Sequence, residues 1–65
     1  MASKQTMRAD EVKVGDVVHP QRRPSFTVAR VVNESGQRVM VGHDYMGGIC
    51  HAFDKTQMLN VTRHS

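Results

Sequence analysis

Paired cysteines, tryptophan and long apolar runs are missing from this 65-residue sequence. Its one cysteine, Cys50, cannot form an internal disulfide, so the fold needs no oxidising compartment. No apolar run approaches the roughly 18 residues of a membrane span, and residues 1–8 lack the apolar segment of a signal peptide. These absences predict a cytoplasmic protein that does not enter a membrane.

Aromatic residues are also scarce, since the chain has only Phe26, Tyr45 and Phe53. A proline-peptide groove and a methyl-lysine cage both need several clustered rings, so both kinds of site are disfavoured. A chain of this length forms one small domain and buries only about 60% of the surface that its unfolded form exposes. Such a domain has little material for a deep cleft, and we predict that it is not an enzyme.

Valine dominates the apolar residues that are present, with ten valines against one leucine and one isoleucine. β-Branched side chains favour strands over helices, so the sequence predicts an all-β domain. Residues 1–8 are polar without periodicity and predict a flexible tail, which leaves residues 9–63 as the domain. The predicted strands are residues 17–19, 25–32, 37–43, 49–53 and 59–62, with a single helical turn at residues 54–58.

The predicted connections contain residues with specific backbone preferences. Pro20 and Pro24 frame a stiff, exposed loop between the first two strands. The sequence Asn-Glu-Ser-Gly at residues 33–36 predicts a tight hairpin turn, because Gly36 tolerates a positive φ. The doubled valine at positions 31 and 32 interrupts the alternation of its strand and predicts a bulge or a sharp bend there.

Two segments carry a resemblance to a known fold. Residues 12–18 read Val-Lys-Val-Gly-Asp-Val-Val, with Gly15 and Asp16 turning the chain into the first strand, and residues 53–61 read as strand, single turn, strand. Together with the strand pattern they resemble the Src-homology-3-like small barrel over residues 10–63. The resemblance implies a five-stranded barrel with one helical turn before the last strand. It implies no single function, since that fold includes DNA binders, ribosome-associated modules, peptide binders and phage or plasmid accessory proteins.

The charge balance is basic, because nine Lys and Arg residues oppose six Asp and Glu residues for a net charge of +3. This balance favours anionic partners, and the planar guanidinium of arginine suits phosphate. We predict that Arg22, Arg23, Arg30 and Arg38 line one side of the domain and bind the backbone of duplex nucleic acid electrostatically. The alternative is a solvated face whose charges only aid solubility.

A hypothesis of a different class rests on Tyr45, Met46, Gly47 and Gly48. Two apolar side chains followed by two glycines could form a contact loop that another backbone approaches closely. The same residues also fit an ordinary hairpin turn that covers one end of the barrel. A protein-interaction or assembly module that uses this loop or an exposed edge strand is therefore the alternative to nucleic-acid binding. Neither hypothesis fixes the oligomeric state.

Four residues near the predicted fourth strand have side chains of the types that bind zinc, namely His43, Asp44, Cys50 and His51. Their spacing matches no standard zinc motif. We interpret them as polar hairpin residues around a small buried thiol, and we expect no metal ion or other cofactor. A cysteine–histidine nucleophile is disfavoured as well, because nothing nearby indicates an oriented base or an oxyanion site.

Overall fold

The computed structural model describes residues 2–44 and 47–64 and contains one antiparallel β-sheet. Its elements in chain order are β1 (Ala2–Arg8), a 3-10 turn (Ala9–Glu11), β2 (Val17–His19), β3 (Phe26–Glu34), β4 (Gln37–Asp44), β5 (Gly47–Asp54) and β6 (Met58–His64). The prediction of a small all-β domain is confirmed. The valine-rich segments form β2, β3 and β4, because β-branched side chains favour strands.

The strands are arranged in the order β1-β6-β2-β3-β4-β5, so β1 and β5 are the two edges. Strand β2 is only three residues long, yet it joins β6 to β3 through three and two residue pairs respectively. The sheet has six strands and does not close, because β5 pairs with β4 alone in the described part of the chain. This differs in strand number and in closure from the predicted five-stranded barrel.

The sixth strand is β1, which occupies most of the segment predicted as a flexible tail. Residues 2–8 pair with β6 at seven positions, from Ala2↔His64 to Arg8↔Met58. Of the residues in β1 only Met7 is buried, so no apolar periodicity marks the strand in the sequence. Its order comes from the backbone ladder that β6 provides and from Met7 in the core. In the structure, residues 2–8 are thus part of the sheet.

The connection between β5 and β6 is a β-turn instead of the predicted helical turn at residues 54–58. The amide of Gln57 donates to the carbonyl of Asp54 at 2.9 Å. Asp54 still pairs with Gln37 in β5, and Met58 already begins β6, so only three residues remain between the strands. The 3-10 turn of the fold lies instead at Ala9–Glu11, where the Glu11 carboxylate accepts a hydrogen bond from the Arg8 amide at 3.3 Å.

The core lies on one face of the sheet. As the alternation predicts, Phe26 and Val28 point inward from β3 while Thr27 is exposed. The predicted hairpin turn is also present, with Ser35 and Gly36 both at positive φ. The bulge lies at residue 29, between Val28 and Arg30, and not at the doubled valine. The buried apolar residues are Met7, Ala9, Val12, Val18, Phe26, Val28, Met40, Leu59 and Val61, with Val31, Ile49 and Phe53 packed against them.

One partly buried ion pair joins Asp16, just before β2, to Arg63 near the end of β6. Arg63 donates from Nε and Nη2 to the two carboxylate oxygens of Asp16, at 3.1 and 2.8 Å. The amide of Lys13 donates to the same carboxylate at 2.9 Å. Burial alone would raise the pKa of Asp16, but these hydrogen bonds and the charge of Arg63 outweigh it and lower that pKa.

Candidate binding groove

The four arginines predicted as one contact stripe lie on different parts of the molecule. Arg22 and Arg23 are exposed in the loop between β2 and β3, and Arg22 has a left-handed backbone with φ 63°. Arg30 is exposed on β3, where it pairs with Val41 of β4. None of these three forms an ion pair with a carboxylate in the described residues.

Arg38 is half-buried on the opposite side of the hairpin. Its Nη2 donates to the carbonyl of Val12 at 2.6 Å, and its Nη1 donates to Oδ1 of Asn33 at 2.9 Å. Arg38 pairs with Asn33 in the ladder, whereas Arg23 precedes Phe26 at the other end of β3. Seven residues of strand separate the two ends by about 23 Å. The structure therefore does not bring the four side chains together.

The residues of the predicted contact loop are described only in part. Tyr45 and Met46 lie outside the described residues. Gly47 and Gly48 are exposed at the start of β5, and Gly47 has a φ of 119°. These two glycines begin β5, the strand that forms the open edge of the sheet.

The histidine and cysteine side chains of the β4–β5 hairpin point to both faces of the sheet. Cys50 is exposed, contrary to the expected buried thiol, because the core takes the inward residues on either side of it. His51 points inward and stacks on Phe26 and Phe53, with ring centroids 4.8 and 5.8 Å apart. Within residues 2–44 and 47–64, no group of three or more His, Cys, Asp or Glu side chains is arranged to hold a metal ion.

A groove of about 620 Å³ opens where the sheet fails to close. One wall is the edge of β5 around Cys50 and Ala52, and the other is Met58 at the start of β6. Arg23 and its neighbours in the β2–β3 loop form one end. Arg23 crosses to β5, since its Nη1 lies 3.1 Å from Nδ1 of His51.

The register of the β4–β5 ladder shows which backbone groups of β5 face this groove. The amide of Lys55 donates to the carbonyl of Gly36 at 3.2 Å, which marks that pair as hydrogen-bonded. Hydrogen-bonded and non-hydrogen-bonded pairs alternate along an antiparallel ladder. Counting back from Lys55, the odd-numbered residues of β5 bond to β4. The N–H and C=O groups of Cys50 and Ala52 therefore point into the groove, with no strand to pair them in the described chain.

The opposite wall contributes backbone groups by the same argument. The amide of Ala9 donates to the carbonyl of Gln57 at 2.9 Å, so the odd residues of β6 bond to β1. The even residues face β2, and the last pair there is His19↔Asn60. Met58 lies two residues beyond that pair, and the residue is 56% exposed. Its N–H and C=O therefore face the groove, because β2 ends at His19 and the chain continues into Pro20.

The electrostatic character of the groove is one-sided. None of the described residues that line it is acidic, whereas Arg23 at its end is cationic. His19 is fixed in place, since its Nδ1 lies 2.7 Å from Oγ of Ser25 and its Nε2 lies 2.7 Å from Oγ1 of Thr62. The groove thus combines unpaired strand edges with hydrogen-bond donors from side chains.

The two edges of the sheet differ in how they are protected against further strands. Edge strands that avoid pairing usually carry lysine, other charges or proline. Strand β1 has Lys4 and Arg8, whereas β5 has neither proline nor a charged residue from Gly47 to Phe53. The sequence contained this signal as a charge-free strand, but the strand order that makes it an edge follows only from the structure.

The described residues contain no helix long and apolar enough to cross a membrane. No family model matches the chain, and no curated protein and no solved structure is significantly similar to it.

Proposed function

We propose that the chain is a non-enzymatic binding module that adds an extended segment of a partner protein to the edge of β5. The observation that carries this proposal is the row of backbone groups from Cys50 and Ala52 that face the groove without a strand partner. A peptide strand supplies alternating N–H and C=O groups, which pair with such an edge. Met58 offers further backbone groups to the other side of the same segment.

An amide NMR titration with a capped eight-residue peptide of alternating Val and Thr tests this function. We expect shifts at Gly48, Cys50, Ala52 and Met58, and slower hydrogen exchange at Cys50 and Ala52, since their amides become bonded. Binding that leaves these amides unshifted would contradict strand addition at β5.

Ala52→Pro provides the matched variant. Proline removes the amide that faces the groove, and an edge strand tolerates it on that side. We expect the variant to fold, as circular dichroism would show, and to lose peptide binding. Ala52→Val keeps the amide and serves as the control. Equal affinity of the two variants for the peptide would count against the proposal.

Nucleic-acid binding is the second candidate function. It is supported by the exposure of Arg22, Arg23 and Arg30 and by the net charge of +3. Arg38 is left out of this site because its guanidinium is held by Val12 and Asn33. Phosphate contacts weaken steeply with salt. Binding of a mixed-sequence DNA duplex should therefore fall strongly between about 0.05 and 0.3 M salt and vanish in the double variant Arg22→Glu, Arg23→Glu.

We also propose that the domain is an open relative of the Src-homology-3-like small barrel and that it is cytoplasmic. The fold proposal is supported by Gly15 and Asp16 leading into β2 and by the strand, turn and strand at the end of the chain. Strand β1 and the open edge of β5 depart from that pattern. We expect β2–β6 to remain folded when residues 2–6 are removed.

A further inference from the structure

We infer that the segment bound at β5 is acidic and places a carboxylate against Arg23. This inference rests on the proposed function, because it assumes that an extended segment occupies the groove. Arg23 is exposed at the end of the groove, and its side chain reaches the β5 wall at His51. A side chain that projects from a segment paired with Cys50 or Ala52 passes close to this guanidinium.

The guanidinium of Arg23 has most of its donors available. It has five N–H groups, and in the described chain it makes one side-chain hydrogen bond, to His51, and no ion pair. Arginine binds a carboxylate through two parallel hydrogen bonds, and such charge-assisted bonds are about twice as strong as neutral ones. A carboxylate is therefore the group that completes the contacts of Arg23 best.

The rest of the groove favours the same charge. Besides Arg23 and His51, its polar lining residues include His19, Gln21, Gln57 and Asn60, and no described lining residue is acidic. A basic segment would place its cations beside Arg23 without a counter-ion. An acidic segment meets Arg23 and no carboxylate from the described lining residues.

The backbone groups of the walls distinguish a protein segment from a nucleic acid. Cys50, Ala52 and Met58 each present a carbonyl acceptor as well as an amide donor. A peptide backbone has both donors and acceptors. A phosphodiester backbone has only acceptors and would leave the carbonyl groups without partners. The geometry therefore favours an acidic protein segment over a nucleic acid, although both are negatively charged.

Three capped eight-residue peptides test the inference. They alternate Val and Thr and carry Glu, Gln or Lys at the two central Thr positions. We expect the Glu peptide to bind about tenfold more tightly than the Gln peptide in calorimetric titration, and the Lys peptide to bind most weakly. Arg23→Gln should remove the difference between Glu and Gln. Arg30 is also exposed but does not line the groove, so Arg30→Gln should preserve the difference and is the matched control.

The outcomes separate the inference from the proposed function. If the Glu and Gln peptides bind equally well to the unmodified protein, the inference is overturned and strand addition stands. If no peptide binds, both are overturned. If the preference for Glu survives in Arg23→Gln, the role of Arg23 is overturned. If a DNA duplex displaces the Glu peptide from Arg23 and binds with higher affinity than that peptide, the choice of a protein partner is overturned.

Discussion

Gly42 lies on the buried face of β4, opposite Val28 and beside the bulge of β3. A Cβ atom there would overlap the carbonyl oxygen of Thr27 and would lie 2.8 Å from Cδ2 of Phe26. The absence of a side chain thus lets β3 approach closely where Phe26 enters the core. Gly48 has space around it and an ordinary φ, so it does not share this constraint.

Gly42→Ala should lower the free energy of unfolding by about 1–3 kcal/mol, because overpacking forces the backbone of β3 to shift. Gly48→Ala should change it by less than about 0.5 kcal/mol, as substitutions at unconstrained surface sites do. Urea unfolding of both variants measures the difference. Similar stabilities would show that β3 moves away from β4 at little cost.

The partly buried ion pair of Asp16 and Arg63 makes stability depend on pH. Because the folded-state pKa of Asp16 is lowered from 3.8, its contribution is complete above that pH and is lost as the pH falls through the folded value. Asp16→Asn should therefore be less stable than the unmodified protein at pH 7, by about 1–3 kcal/mol. This difference in the free energy of unfolding between the two proteins should become smaller below about pH 4.

Asp10→Asn is the control for this prediction. The pKa of Asp10 is also lowered, chiefly by the hydrogen bond from Arg8, but the pair is exposed and its attraction is screened by water. The variant should therefore unfold much as the unmodified protein does across the same pH range. A gap for Asp16→Asn that stays constant down to pH 2.5 would contradict the pKa shift.

At the scale of elements, β1 illustrates how a strand forms with little help from its own sequence. Six of its seven residues are exposed. Backbone pairing with β6 and the burial of Met7 hold it, together with a hydrogen bond from Oγ1 of Thr6 to Oδ1 of Asn60 at 3.1 Å. Met7 is therefore the residue of β1 whose side chain attaches the strand to the core.

Met7→Ala should cost about 2–5 kcal/mol of unfolding free energy, the usual range for a buried methionine. Gln5→Ala, two residues earlier on the same strand and exposed, should have little effect. Hydrogen exchange of residues 2–8 in the methionine variant should approach that of an unpaired segment. An unchanged stability in Met7→Ala would instead support the flexible tail that the sequence predicts.

The contrast between elements shows what sequence patterns can establish here. The inward Phe26 and Val28, and the turn at Gly36, follow from local alternation and turn chemistry, and both were predictable. The order of the strands, the bulge at residue 29 and the half-buried Arg38 depend on residues far apart in the chain. In the sequence Arg38 resembles any surface arginine, and only the structure shows that its guanidinium donates to the carbonyl of Val12. The groove was unpredictable for the same reason, because its walls come from β5 and β6.

At the scale of the whole molecule, the sheet is incomplete at β5 and a bound segment would extend it. A ligand that binds only the folded state raises the free energy of unfolding by about 2.7 kcal/mol at one hundred times its dissociation constant. The Glu peptide should therefore raise the urea midpoint of the unmodified protein. Ala52→Pro should show no such rise, and an equal rise in that variant would place the peptide elsewhere than on β5.

The pairing of β1 with β6 joins residues 2–8 to residues 58–64, across nearly the full length of the sequence. Strand β6 also lies between β1 and β2, so two ladders of the sheet form only after its sixth strand has been synthesised. Contacts between residues so distant in sequence slow the folding of small domains. During synthesis, β3, β4 and β5 can form their hairpins as each is completed, whereas β1 is made first and acquires its neighbour last.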